Sequence, residues 1–380
     1  MNITTRPKKA AFVLTSHAPL RAFMTDHIQA LSNHYDITVY ANFATDRCLD
    51  IGSERIKIVH IPFERKIRIW IDLKSIFGLY WHLRRGKFDS VHSLMPKAGL
   101  LAMAAGFVAR VPFRLHMFTG QVWANKRGVA RLALKSFDRL IAGLSTNLLT
   151  DSPTQRDFLI EQGVIRAAHV LGDGSVCGVN TQKFCPSPEN KLKLRRTLGI
   201  DANAVVFGFL GRLNADKGVL DLAMAFASAE LPSNAVLMVV GPDEDDTIAQ
   251  IHAEVGDLNG RLKLVGFTTT PELYVNMFDV FCLPSYREGF GTSVIEAAAC
   301  GVPSIVSRIY GLTDAVEEGV TGLMHEPGNR TEIAQALEAM CNDADQRHRL
   351  GEAARDRVLM KFKSSKLIDE MAKYYEKLYE

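Results

Sequence analysis

Short apolar runs alternate with helical patterns along the whole of this 380-residue chain, and they do so twice over. The first half offers AAFVLTS, DITVYA, IKIVHI, DSVHS, RLHMF and NLLT; the second offers AVVFGFLG, AVLMVVG, LKLVG, DVFCLP, PSIVS and TGLM. Most are continuously apolar, not alternating. Strands covered by helices on both faces have that pattern, whereas a strand with one wet face reads apolar-polar-apolar. Successive βα units imply parallel sheets, so the expected class is α/β with two doubly wound, Rossmann-like domains. The Gly-, Ser- and Pro-rich stretch GDGSVCGVNTQKFCPSPENK, residues 172–191, is the expected linker. The domains expected are 1–178, 179–362, and a terminal amphipathic helix over 363–380 returning to the N-terminal domain. Facing domains of this kind leave a cleft, and ligands of open α/β sheets bind beyond the carboxyl ends of the strands. Function is therefore sought in the loops that follow strands.

Charge separates the halves. Residues 1–180 carry 24 of the 45 Lys and Arg but 13 of the 42 Asp and Glu, a net charge of +11, and the remainder nets −8. A basic half joined to an acidic half suggests different partners for the two. The six cysteines form no CxxC pair and no histidine stands at ligand spacing from them, which reads as reduced thiols in a cytosolic protein. The apolar run near the N-terminus is too short for a signal peptide and reads as a buried strand. Ala98 to Ala109, the longest apolar stretch, falls short of the ~20 residues a bilayer crossing needs.

Two loops carry candidate chemistry. In GFLGRLNADKG, Arg212 follows a strand end and Lys217 stands where the next helix should begin, with Asp216 as its expected N-cap. A lysine in a first helical turn opposes the macrodipole, and a bound anion would reverse the sign. The spacing is neither a P-loop nor a dinucleotide fingerprint. Two solvated cations are the bland alternative. The second loop is PSYREGFGTSVIEAAACGVP. Gly289 and Gly291 allow close backbone approach, and a helix is expected to begin near Thr292 or Ser293. Ser293 and Glu296 fit a capping box. Glu288 lies just before the turn, where a carboxylate can serve the helix dipole or accept hydrogen bonds from sugar hydroxyls.

On these residues the chain resembles the family-4 retaining glycosyltransferases of the GT-B fold. EGFGTSVIE matches that family's Glu-x7-Glu motif, and GRLNADKG is similar to its diphosphate loop. The order VVGPDEDD, then LVGFTTTPELYVNMFDVFCLP, continues the pattern. HSLMPKAGLLAMAAGFVARVPFRLHMFTGQVW and GDGSVCGVNTQKF look like the subgroup that builds capsular, O-antigen or other lipid-linked glycans. One departure is TSHAPLRAF, which stands where many relatives carry a Gly-Gly loop. The resemblance implies that Arg212 and Lys217 hold the donor diphosphate and that Glu296 binds the ribose. It implies that Glu288 contacts the transferred sugar, Gly289, Phe290, Gly291 and Thr292 present backbone donors, and Gly266 and Phe267 meet the base. His116 matches the family's sugar-facing histidine; a histidine satisfied within the strand is the alternative.

The implied activity is retaining, metal-independent transfer of a hexose or N-acetylhexosamine from a UDP-linked donor to an undecaprenyl-diphosphate-linked glycan, with no cofactor, metal or nucleic acid. Asp243 to Asp245 are read as a solvated acidic loop, not the metal site of the other large glycosyltransferase fold. A sugar-nucleotide epimerase, a phosphorylase and a non-catalytic partner subunit are the alternatives, since fold does not fix chemistry. Residues 64–88 mix Ile67, Ile69, Trp70, Ile71, Leu73, Ile76, Phe77, Tyr80, Trp81 and Leu83 with Arg65, Lys66, Arg68, Lys74, Arg84, Arg85 and Lys87. That mixture suits an anionic membrane interface and a peripheral protein on the cytoplasmic face.

Overall fold

The computed structural model describes residues 6–44, 53–63 and 68–380, apart from the Ile69 side chain. The chain divides into two compact units, Met1–Cys177 with Lys366–Glu380, and Gly178–Ser365.

The first unit is built on β1 (Lys9–Ser16), β2 (Asp36–Asn42), β3 (Ile56–His60), β4 (Ser90–Leu94), β5 (Phe113–Phe118), β6 (Asn147–Thr150) and β7 (His169–Val170). They lie in the order β3-β2-β1-β4-β5-β6-β7, and every pairing is parallel. Side chains alternate across the sheet, so two cores form. Phe12, Leu14 and Val39 pack on one face, and Val13, Tyr40, Leu101 and Trp123 on the other.

The C-terminal helix Ser364–Tyr379 places Leu367, Met371 and Tyr375 at i, i+4 and i+8, all fully buried in the first of those cores. Its polar ends are fastened too. The Tyr375 hydroxyl lies 2.9 Å from His92 Nδ1, Tyr379 Oη lies 2.5 Å from Ser90 Oγ, and Lys366 Nζ donates to Asp173 at 2.8 Å.

Three histidines are buried in this unit. His27 Nε2 lies 2.8 Å from the Val176 carbonyl oxygen, and His116 Nδ1 lies 2.9 Å from Ser93 Oγ. Each of His27, His92 and His116 has one buried ring nitrogen without a hydrogen-bond partner. Burial pushes His92 and His116 down to about 3 and lowers His27 as well. A neutral buried ring contributes stability that is complete above the free value near 6.5 and is lost as the pH falls toward the depressed one. At pH 5 the loss is about 2 kcal/mol each for His92 and His116. The urea midpoint should therefore fall steeply from pH 7 to pH 5. A flat profile over that range would show that the rings are hydrated.

The second unit contains β8 (Val206–Leu210), β9 (Val236–Val240), β10 (Leu262–Val265), β11 (Val280–Leu283), β12 (Ser304–Ser307) and β13 (Gly322–His325). The order is β10-β9-β8-β11-β12-β13, again wholly parallel. All residues of β9 and β11 are buried, as their unbroken apolar sequences require. The chain moves outward from β8 through β9 to β10, then returns to the other side of β8 as β11. The loops after β8 and β11 thus diverge from neighbouring strands. In open parallel sheets that switch point is where ligands are held.

Candidate active site at the switch point of the second sheet

The β8 loop descends from Gly211 to Lys217 and ends in a single 3-10 turn, Ala215–Lys217. Gly218 then takes a left-handed conformation at φ 65°, and the helix Val219–Ser228 begins after it. A Cβ on Gly218 would overlap the Pro284 carbonyl at the end of the neighbouring strand, so the loop can approach β11 only with glycine there. This corrects the expectation that Asp216 caps a helix containing Lys217 in its first turn. The left-handed glycine interrupts the two. Asp216 instead pairs with Arg287 at 2.7 Å, and its carbonyl accepts from the Tyr286 N–H at 2.8 Å, tying the β8 loop to the β11 loop.

The β11 loop carries the other half of the site. Lys217 Nζ and Glu288 Oε1 are 2.5 Å apart, and Ser285 Oγ donates to the same carboxylate oxygen at 2.8 Å. Both charged groups are largely buried, which makes this contact much stronger than a surface pair. Gly291, at φ 88°, precedes the helix Thr292–Ala299, and no side chain caps that helix. The expected capping box of Ser293 and Glu296 is therefore absent. The helix starts two residues earlier than such a box needs, which puts Glu296 in its second turn. Glu296 is half-buried, and among the described residues its carboxylate accepts no hydrogen bond, while its backbone carbonyl accepts from the Cys300 N–H at 3.4 Å. Burial pushes its carboxyl up to about 7, against the pull of Lys183 and with a further push from Glu272. Phe290 is buried and packed edge-on against Phe362 at 5.1 Å, so its side chain holds the turn.

Arg212 is half-exposed and donates to Glu244 Oε2 at 2.8 Å, an oxygen that Asn214 Nδ2 also reaches at 3.2 Å. The acidic loop is not simply solvated. Asp243 accepts from the N–H groups of Thr247 and Ile248 at 2.8 and 3.1 Å, and Asp245 accepts from Ala215 N at 3.3 Å. Behind the site, Asp221 receives the Tyr286 hydroxyl at 2.8 Å and Arg330 Nε at 2.7 Å. Burial, then the Asp221 contact, pushes the Tyr286 phenol up to about 12.

The β8 and β11 loops bring Lys217 against Glu288, next to the Gly289–Gly291 turn, while Arg212 of the same β8 loop is paired to Glu244. Gly266 and Phe267 follow β10 at the far edge of the sheet, with nothing near Gly266 and Phe267 exposed over 74% of its surface. His116 lies in β5 of the first unit. Its ring has no exposed surface, rests against Gly99, and meets Phe118 edge-on at 4.6 Å. A ring so enclosed touches no ligand in this conformation. Sequence reasoning passed over Ser285, Glu244 and the Tyr286–Asp221–Arg330 cluster. The last is assembled across 65 and 109 residues and leaves no local signal.

Two family models match the chain: glycosyl transferases group 1 over residues 190–357 and a glycosyl transferase 4-like domain over residues 21–174. The chain is 30% identical to the capsular polysaccharide biosynthesis glycosyltransferase CapM of Staphylococcus aureus, over 84% of this chain and 85% of that one. It is 27% identical to the Escherichia coli UDP-Gal:alpha-D-GlcNAc-diphosphoundecaprenol alpha-1,3-galactosyltransferase, over 82% and 81% of the two chains. The fold matches that of Anabaena Alr3699/HepE in complex with UDP-glucose, with a TM-score of 0.80 at 21% identity, over 97% of this chain and 99% of that one. The protein belongs to the family-4 glycosyltransferases and has the GT-B fold.

Proposed function

We propose that the enzyme moves a hexose or N-acetylhexosamine, with retention of configuration and without a bound metal, from a UDP-linked donor to a glycan carried on undecaprenyl diphosphate. The observation that carries this reading is the Lys217–Glu288 contact that joins the β8 and β11 loops at the switch point of one sheet, with Arg212 in the first loop and the Gly289–Gly291 turn in the second. Cleaving the bond to a nucleoside diphosphate develops negative charge on the phosphates. Fixed cations and the N-terminus of the Thr292–Ala299 helix would stabilise it. Arg212 is paired to Glu244 in a partly exposed contact worth about 0–1 kcal/mol, so a diphosphate can take the place of that carboxylate at little cost. Glu288, held by Lys217 and Ser285, faces the transferred sugar. Glu296 accepts the ribose hydroxyls, Thr292 and the Phe290 backbone add donors, and Gly266 and Phe267 offer a surface for the base. The E. coli relative supports the lipid-linked acceptor by the reaction its name describes.

Glu296 gives this reading a pH signature. A carboxyl titrating near 7 is ionised at pH 8 and protonated at pH 6, and only the ionised form accepts from both ribose hydroxyls. The donor KM should rise about tenfold from pH 8 to pH 6, following the ionised fraction. Glu296→Gln should raise KM at pH 8 and flatten that profile; an unchanged profile in the variant would remove Glu296 from the ribose site. The donor class is tested by thermal shift with a panel of nucleotide sugars in the presence of a chelator. A ligand at ~100 times its Kd adds about 2.7 kcal/mol, and UDP-sugars are the expected stabilisers.

No helix among the described residues is long and apolar enough to cross a membrane. We infer peripheral attachment on the cytoplasmic face. Arg65, Lys66 and Ile67 of the aromatic-basic segment lie outside the described residues. The helix Ile69–Gly86 buries Ser75, Leu79 and Leu83 and exposes Trp70, Leu73, Phe77 and Trp81 beside Lys74, Arg84 and Arg85. That exposed stripe suits an anionic interface.

A further inference from the structure

Tyr286, Arg287 and Glu288 follow one another in the β11 loop, and each is tied to the segment that carries Lys217. The Tyr286 N–H donates to the Asp216 carbonyl at 2.8 Å, Arg287 pairs with the Asp216 carboxylate at 2.7 Å, and Glu288 meets Lys217 at 2.5 Å. The Tyr286 side chain adds a fourth tie. Its hydroxyl donates at 2.8 Å to Oδ2 of Asp221, which stands in the first turn of the helix Val219–Ser228. That helix buries Val219, Leu222, Ala223 and Phe226, so the phenol is seated on an element anchored in the core.

The seat is closed from a third direction. The other Asp221 oxygen accepts from Arg330 Nε at 2.7 Å. Arg330 opens the helix Arg330–Asn342, where a cation opposes the macrodipole, and the Asp221 pair offsets that cost. Gly328, just before it, is left-handed at φ 75°, and a Cβ there would stand 2.6 Å from the Tyr286 hydroxyl oxygen. Glycine lets the chain close over the phenol. Residues 284–291 themselves form no helix or strand, so their order depends on such ties. A group that meets a transition state must be held to within about 0.5 Å, by side chains that are themselves locked by hydrogen bonds.

We propose that Tyr286 is a positioning residue for the transfer reaction: seated on Asp221, it sets the orientation in which Glu288 meets the donor sugar. The assignment rests on the role proposed above for Glu288 and adds the element that holds it. Lys217 and Ser285 both bind Oε1 of Glu288, so they fix one oxygen. The backbone that carries the carboxylate is fixed through Tyr286 and Arg287. Arg212 and Lys217 belong to the other loop and keep their places when the phenol hydroxyl is lost. Its loss is therefore felt in turnover and not in the binding of UDP.

The test is a double-mutant cycle of Tyr286→Phe and Glu288→Gln in the full chain. UDP affinity is read by calorimetry, and kcat by UDP release with a UDP-sugar and a lipid-diphosphate glycan. Tyr286→Phe leaves Asp221 paired with Arg330, so the melting temperature should fall by no more than about 4 °C. The Kd for UDP should stay within about twofold of wild type, while kcat falls about tenfold. Glu288→Gln should lower kcat on its own. Adding Tyr286→Phe to it should lower kcat no further, because a residue that acts through Glu288 then has nothing to act on. Wild-type kcat in Tyr286→Phe would overturn the assignment, and a lowered melting temperature beside it would make the tie purely structural. Losses that multiply in the double variant would overturn it too. Wild-type kcat in Glu288→Gln would instead remove the sugar-facing role of Glu288 and the assignment with it, a failure read in a different variant.

Discussion

Replacing Lys217 with alanine should lower kcat/KM for a UDP-sugar by roughly tenfold to a hundredfold, and the double variant Arg212→Ala/Lys217→Ala by roughly a hundredfold to ten-thousandfold. A hydrogen bond to a charged group is worth about 1.5–3 kcal/mol, and both cations act on one developing charge, so their effects will couple. The ion pair complicates the single variant. Lys217 neutralises Glu288 at 2.5 Å, and its removal leaves a largely buried carboxylate held, among the described residues, by Ser285 alone. The Lys217→Ala substitution should therefore also be made in a Glu288→Gln background. Loss of phosphate stabilisation persists there, whereas a penalty due only to an orphaned carboxylate is relieved. Arg212→Ala has no such complication, because its partner Glu244 is partly exposed, and stability should change by less than about 1 kcal/mol. Steady-state kinetics with urea denaturation of each variant separates the two effects. Near-wild-type kcat/KM in the double variant would remove the diphosphate from this loop.

The largest stability effect is expected from the other end of the chain. Deleting residues 366–380 strips Leu367, Met371 and Tyr375 from the core of the first unit and leaves His92 and Ser90 without their tyrosine partners. Burial of three such side chains is worth about 5–9 kcal/mol. Net domain stability is about 5–15 kcal/mol, so the first unit should lose most of its cooperative unfolding. The second unit keeps its own core and should still melt as a unit. Differential scanning calorimetry reads both. Two intact transitions in the truncated chain would mean that the helix is dispensable.

The parallel sheets were legible because their strands are unbroken apolar runs, and β9 and β11 are buried from end to end as those runs require. The two loops of the second unit were legible because glycine and charge recur just after strand ends. Their local geometry was not. Nothing in NADKG announces that Gly218 turns left-handed under the Pro284 carbonyl, so Asp216 read as a cap when it is a tie to Arg287. Ser293 and Glu296 have capping-box spacing, but the box depends on where the helix begins, and Gly291 starts it early. Glu244 lies 32 residues from Arg212, a separation that hides the pair from any local reading. His116 illustrates a different limit. Its sequence position places it in a strand, but whether its ring meets a ligand depends on Ser93 and Gly99 from other elements, and these enclose it.

The account rests on transfer of a sugar from a UDP donor through the Arg212–Lys217–Glu288 site, with retention and without metal. Proton NMR of the product, formed from an α-linked UDP-sugar and a lipid-diphosphate glycan in the presence of a chelator, tests all of this together. The expected spectrum shows an α-linked product, formed at an undiminished rate with chelator and nearly absent with the Arg212→Ala/Lys217→Ala variant. A β-linked product, or activity that vanishes with chelator and returns with manganese, would contradict it.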